Sequence, residues 1–319
     1  MPSFVFIGPG KVGSSWFLEI LREHPGVFMP ANKGTVYFTR FHYKGVAWFE
    51  QFFRKATAGQ VTGEICEEYL SSPEAIRRIR DYRPDMRLIC CLRNPYERAI
   101  SSWRFYGRNG CQEPTLVAQA ARNPQVFLYG QYATQLQVVQ ALFPPDQLLI
   151  FLFEELAADP RGVARRLYEF IGVDPDFSAR SLNERVNVNG RPRWRLLAKV
   201  VHKIHERSWG PSRLISNLVG RLKRVRVVRQ TVRAILYDES ERSGDWRGQF
   251  SEFPDHIVTR YEQEITALER MLGRDLSAWR APAAPIRRGS APAAKPAIGR
   301  HSQVAADLTG SSMANRSSK

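Results

Sequence analysis

The chain has 319 residues, 43% hydrophobic and 11% aromatic, enough apolar material for one large core and a single α/β domain. No apolar run approaches the roughly 20 residues that cross a bilayer, and the start, Met-Pro-Ser followed at once by an apolar run, shows no basic-then-apolar leader; the expectation is a soluble, cytoplasmic protein. The formal net charge of +16 is local: residues 191–233 hold 13 Lys/Arg against Glu206 alone, residues 281–319 hold 6 against Asp307, and the remainder is close to neutral.

Phe4 to Ile7 reads as a buried strand that breaks into a glycine-rich turn, Gly8 to Gly13. From Ser14 to about residue 24 an amphipathic pattern puts Phe17, Leu18 and Leu21 on one helical face. Further strands are expected at 61–65, 87–92 and 147–152, and helices at 46–54, 73–82, 95–106 and 130–142. This alternation predicts a P-loop-like parallel sheet flanked by helices, with a helical C-terminal part at 192–209 and 256–272. Residues 1–280 form the expected domain, with the basic helical segment 191–233 inside it. From Ala281 aromatics give way to alanine, proline and serine, the composition of a disordered tail. Cys66, Cys90, Cys91 and Cys111 show no metal spacing, and Cys90 and Cys91 fall in a buried strand as free thiols.

Strand, glycine loop and helix in that order make an anion cradle, because backbone N–H groups and the positive helix end converge on one point. Gly8-x-Gly10-x-x-Gly13 fits a dinucleotide fingerprint, but the acid expected about 20 residues later is missing. Gly8-x-x-x-x-Gly13 fits half of a Walker loop, but Ser14 stands where the lysine belongs and Lys11 lies inside the loop. A plain strand-to-helix turn is the remaining reading of this segment taken alone.

A second strand-to-helix turn follows at Leu92-Arg93-Asn-Pro-x-x-Arg98-x-x-Ser101, with Pro95 suited to a first helical turn and Arg93 at the carboxyl end of a strand. Together, Lys11-x-Gly13-Ser14-Ser15 and this motif resemble the sulfotransferase family. The resemblance implies that Lys11, Val12, Gly13, Ser14 and Ser15 hold the 5′-phosphosulfate of 3′-phosphoadenosine-5′-phosphosulfate (PAPS), and that Arg93 and Ser101 hold its 3′-phosphate. Gly190 and Arg191 resemble the family's late loop that closes over the nucleotide. Lys33-Gly-Thr-Val-Tyr-Phe38, Tyr43-Lys-Gly-Val-Ala-Trp48, Gly63-Glu64-x-x-x-x-Tyr69 and Gly273-Arg274-Asp-Leu-x-x-Trp279 extend the likeness toward the polysaccharide branch, which implies a carbohydrate or glycolipid acceptor and no metal.

That branch's acceptor-activating glutamate falls on Gly34 here. The proton acceptor must then be a histidine or a carboxylate; Glu64, at a strand end, is the first candidate and His42 the second. Structural alternatives stand beside each assignment: Arg93 as a partner of Glu97 or Glu64, Ser101 as packing, Glu64 as an arginine-paired carboxylate, His42 as a surface ring. The 191–233 stretch suits a membrane surface, an anionic glycan or steering of PAPS, and no nucleic-acid-binding module is present. A P-loop-type kinase of a small molecule, sulfation of a small alcohol or phenol, and a non-catalytic anion-binding protein are the competing functions.

Overall fold

The computed structural model describes residues 1–31, 33–108, 111–183, 191–192, 237–238 and 246–282, all within one compact unit, Met1–Pro282. A five-stranded, all-parallel sheet runs in the order β2-β3-β1-β4-β5, where β1 is Phe4–Gly8, β2 Val27–Phe28, β3 Val61–Ile65, β4 Arg87–Leu92 and β5 Leu148–Leu152. Every residue of β1 is buried, as expected of a central parallel strand covered on both faces.

Alternation along β1 and β4 divides the core. Phe4, Phe6, Ile89 and Cys91 face α1 (Ser14–Glu23), through Phe17, Ile20 and Leu21, and a later helix, Pro160–Ile171. Val5, Ile7, Leu88, Cys90 and Leu92 face the opposite layer, which contains Ile76 and Ile79 of α3 (Pro73–Tyr82) and Tyr96 and Ala99 of α4 (Pro95–Arg108). That layer also holds Leu136 of α7 (Tyr132–Leu142), while α2 (Val46–Glu50), α5 (Leu116–Arg122) and α6 (Gln125–Leu128) complete the connections. After β5 come α8 (Phe153–Ala158) and α9 (Pro160–Ile171), and α10 (Asp255–Leu272) closes the described chain against α7.

Local chemistry sets the helix starts. Ser72 accepts the Ala75 N–H at 3.2 Å ahead of Pro73, and Asp159 accepts the Gly162 N–H at 2.8 Å ahead of Pro160. The predicted strands and the helix at 73–82 match the structure, whereas β2, α5, α6, α8 and α9 were not anticipated. The predicted 46–54 helix divides into α2 and a tighter turn, Gln51–Phe53. Of the 191–233 stretch, only Arg191–Pro192 is described: it forms β6, which pairs antiparallel with β7 (Tyr237–Asp238) and approaches α4. Gly190, the 192–209 helix beyond Pro192 and the tail from residue 283 lie outside the described residues.

Candidate active site

In the order β2-β3-β1-β4-β5 the chain leaves β1 in both directions across the sheet, and the carboxyl ends of the strands at such a reversal open a crevice. Three turns meet there, following β1, β3 and β4. The first carries Lys11 at φ 74° and Gly13 at φ 87°, with α1 beginning at Ser14. At its φ Gly13 avoids the strain of a side chain, and a Cβ there would press on Leu156 Cδ2 at 2.8 Å. Val12 is fully buried beneath the loop, and its burial fixes the path of the chain past the helix end. Ser15 is half-buried. The Lys11 ammonium lies 4.3 Å from the centre of the Phe105 ring.

The turn after β4 is built by Asn94, which is buried and whose Oδ1 accepts the N–H groups of Tyr96 (3.0 Å) and Glu97 (3.3 Å) to start α4. Its amide donates to the Trp279 carbonyl at 3.3 Å, and the Trp279 indole N–H donates to Glu154 at 2.9 Å, so the Gly273–Trp279 segment braces this turn. Arg93 donates to Glu97 Oε2 from Nε and Nη2 (3.2 and 3.1 Å) and to the Lys11 carbonyl from Nη1 (3.3 Å). Its guanidinium also stacks 4.5 Å from the Phe153 ring. Arg93 therefore ties the two anticipated motifs together, and the pairing with Glu97 foreseen as its structural alternative is present in the same side chain. Ser101 is buried in α4.

The two anticipated proton acceptors sit differently. Glu64 is fully buried; Oε2 accepts the Thr35 N–H and Oε1 the Tyr69 hydroxyl, each at 2.8 Å. Burial pushes its carboxyl above the usual range despite these hydrogen bonds. It anchors residues 33–35 to β3, where the Ile65 N–H also donates to the Lys33 carbonyl at 3.2 Å. His42 is exposed, with its ring 5.3 Å from that of Tyr37. Phe38 and Phe49, two of the aromatics after Lys33, are core residues, while Tyr43 is 78% exposed.

Sequence reasoning missed a cluster at the same crevice. Ser14 Oγ donates to Glu67 Oε1 at 2.6 Å, and Lys33 Nζ donates to Ser14 Oγ at 2.8 Å and pairs with Glu67 Oε1. Burial alone would push the Glu67 carboxyl up; the charge and hydrogen bond of Lys33, the Ser14 hydroxyl and the charge of Lys11 outweigh it and hold the carboxyl below the usual range. Glu67 Oε2 also lies 2.9 Å from where a Cβ on Gly10 would stand, so the carboxylate rests against the loop itself. One signal was available: Glu64 lies inside β3, but Glu67 lies just past its carboxyl end, where ligands gather. Among the described residues no group of three or more His, Cys, Asp or Glu could hold a metal ion, and no helix is long and apolar enough to cross a membrane.

A strand, a glycine-rich loop leading into a helix and a basic turn on the neighbouring strand make a P-loop-like α/β fold. The sequence model of the sulfotransferase domain matches residues 2–188. The chain belongs to the sulfotransferase family. Relatives include mouse heparan sulfate glucosamine 3-O-sulfotransferase 3B1, 31% identical over 182 residues, covering 54% of this chain and 46% of that protein. Human bifunctional heparan sulfate N-deacetylase/N-sulfotransferase 3 is 28% identical over 204 residues, covering 56% and 23%. The chain spans about half the length of the first of these curated relatives. A crystal structure of a sulfotransferase from Alicyclobacillus acidocaldarius shares the fold, with a TM-score of 0.60 at 20% identity over 88% of this chain and 98% of that one.

Proposed function

We propose that this chain moves a sulfuryl group from PAPS to a hydroxyl of a carbohydrate or glycolipid. The observation that carries the reading is the link between the two anion-binding turns, Arg93 Nη1 to the Lys11 carbonyl, 3.3 Å. A donor with phosphate at both its 5′ and 3′ positions needs two such turns side by side. The N–H groups of Val12 and Gly13 and the hydroxyls of Ser14 and Ser15 take the 5′ end, where the α1 dipole favours negative charge. Arg93, with its planar fork, takes the 3′-phosphate in exchange for Glu97, and Ser101 lies eight residues on in α4. Gly190 and Arg191 supply the closing loop, supported by the approach of β6 to α4.

Sulfuryl transfer needs positioning and neutralisation of charge spread over equatorial oxygens. Lys11 acts on the bridging oxygen as the phosphate leaves. Heparan sulfate in the names of two relatives supports a carbohydrate acceptor, the 3-O-sulfotransferase name of the first supports a hydroxyl on it, and the 13 Lys/Arg of residues 191–233 support an anionic or membrane-presented one. The test is an acceptor screen with labelled PAPS across glycans, glycolipids and small phenols. Label on a glycan or glycolipid is expected; label only on phenols would overturn the acceptor assignment.

A further inference from the structure

We infer that Glu67 is the base that takes the proton of the attacking hydroxyl. This rests on the sulfuryl-transfer reading above. A hydroxyl attacking sulfur must lose its proton near the 5′ end of the donor, so the base belongs beside the Lys11–Ser15 loop and open to an acceptor. Glu64 meets neither condition, being fully buried with both oxygens held by Thr35 and Tyr69. Glu97 lies beside Arg93 at the turn assigned to the 3′-phosphate, away from the 5′ end, and Glu68 is paired with Arg40, from Nε at 3.0 Å and Nη2 at 2.6 Å. Position 34, where the resemblance places a carboxylate, has no room for one: a Cβ there would stand 2.7 Å from the Ile65 carbonyl oxygen.

Glu67 meets both conditions. Its side chain is 34% exposed, it lies one hydrogen bond from Ser14, and it rests on the loop backbone at Gly10. Lys33 and Ser14, its present partners, are the groups that a sulfonate would recruit. As they turn to the sulfonate oxygens they release the carboxylate and leave it more basic. In the transfer the acceptor O–H bond breaks with its proton passing to a Glu67 oxygen. The acceptor oxygen bonds to sulfur while the bond from sulfur to the bridging oxygen breaks, and that electron pair leaves on the phosphate of 3′,5′-adenosine bisphosphate (PAP) beside Lys11. Lys33, 2.8 Å from Ser14 Oγ, offsets the charge on the sulfonate.

The experiment compares the full chain with its Glu67→Gln, Glu67→Asp and Glu67→Ala variants, by PAP calorimetry and by PAP release from PAPS with heparan sulfate oligosaccharides present. Glu67→Gln and Glu67→Ala should slow PAP release roughly 10²–10⁴-fold while PAP binds as well or more tightly, since a negative charge has left the cradle. Glu67→Asp should keep more of the rate, and added formate should restore part of it to Glu67→Ala. A Glu67→Gln protein at the wild-type rate, or one that loses PAP affinity, would overturn the assignment and leave the donor reading intact. A wild-type protein that does not bind PAP would overturn the donor reading and this inference with it.

Discussion

Replacing Glu64 separates a structural carboxylate from a catalytic one. In Glu64→Ala the Thr35 N–H and Tyr69 hydroxyl lose their 2.8 Å acceptors inside a fully buried site. Each unpaired buried donor costs about 1–3 kcal/mol, so the loss is about 2–6 kcal/mol before any cavity is counted, a large part of the 5–15 kcal/mol typical of a domain. In Glu64→Gln the amide oxygen keeps the Thr35 N–H and the amide nitrogen can turn to Tyr69, so the cost falls to about 1 kcal/mol. The pH dependence has a definite sign. Because burial raises the folded carboxyl above its unfolded value, the favourable contribution of Glu64 is complete below the usual carboxylate range and is lost as pH rises through the raised value. Glu64→Gln does not titrate, so the variant should gain on wild type between acidic and neutral pH. Urea unfolding at several pH values, with PAP release measured alongside, checks all of this. Glu64→Ala within 1 kcal/mol of wild type, or Glu64→Gln folded but inactive, would refute the reasoning.

Lys11→Ala should lower PAP release from PAPS roughly 10²–10³-fold, the cost of losing one group aimed at developing charge, with PAP still bound; steady-state kinetics and calorimetry read the two effects apart. Arg93→Ala should weaken PAP binding roughly 10- to 100-fold by leaving a phosphate without its charge-assisted fork, and Arg93→Lys should restore little of it. Gly34→Ala should destabilise the fold by about 1–3 kcal/mol, because the added Cβ meets the Ile65 carbonyl at 2.7 Å; thermal unfolding reads this as a lower Tm.

The parts of the fold that could be read from sequence are those set by local pattern. β1, β3 and β4 are short apolar runs because parallel strands are covered on both faces, and α3 carries its start signal in Ser72-Pro73. α9 carries the same kind of signal in Asp159-Pro160, with Val163, Leu167 and Ile171 spaced along one helical face. β2 spans only Val27–Phe28, too short for any periodicity, and exists because β3 offers it an edge. The loop residues Lys11 to Ser15 and Arg93 could be read because each lies next to the strand that positions it. Lys33 and Glu67 could not be paired in advance. They are 34 residues apart, and they meet only because Glu64 and the Ile65 N–H draw residues 33–35 onto the end of β3.

Calorimetry with PAP, set against ATP and Mg²⁺ on the same preparation, tests the central claim most directly. Two linked anion-binding turns, with Lys11 inside the first and Arg93 heading the second, predict tight PAP binding that Arg93→Ala weakens, and little affinity for ATP. Tight binding of ATP without binding of PAP would contradict the account and point to a kinase.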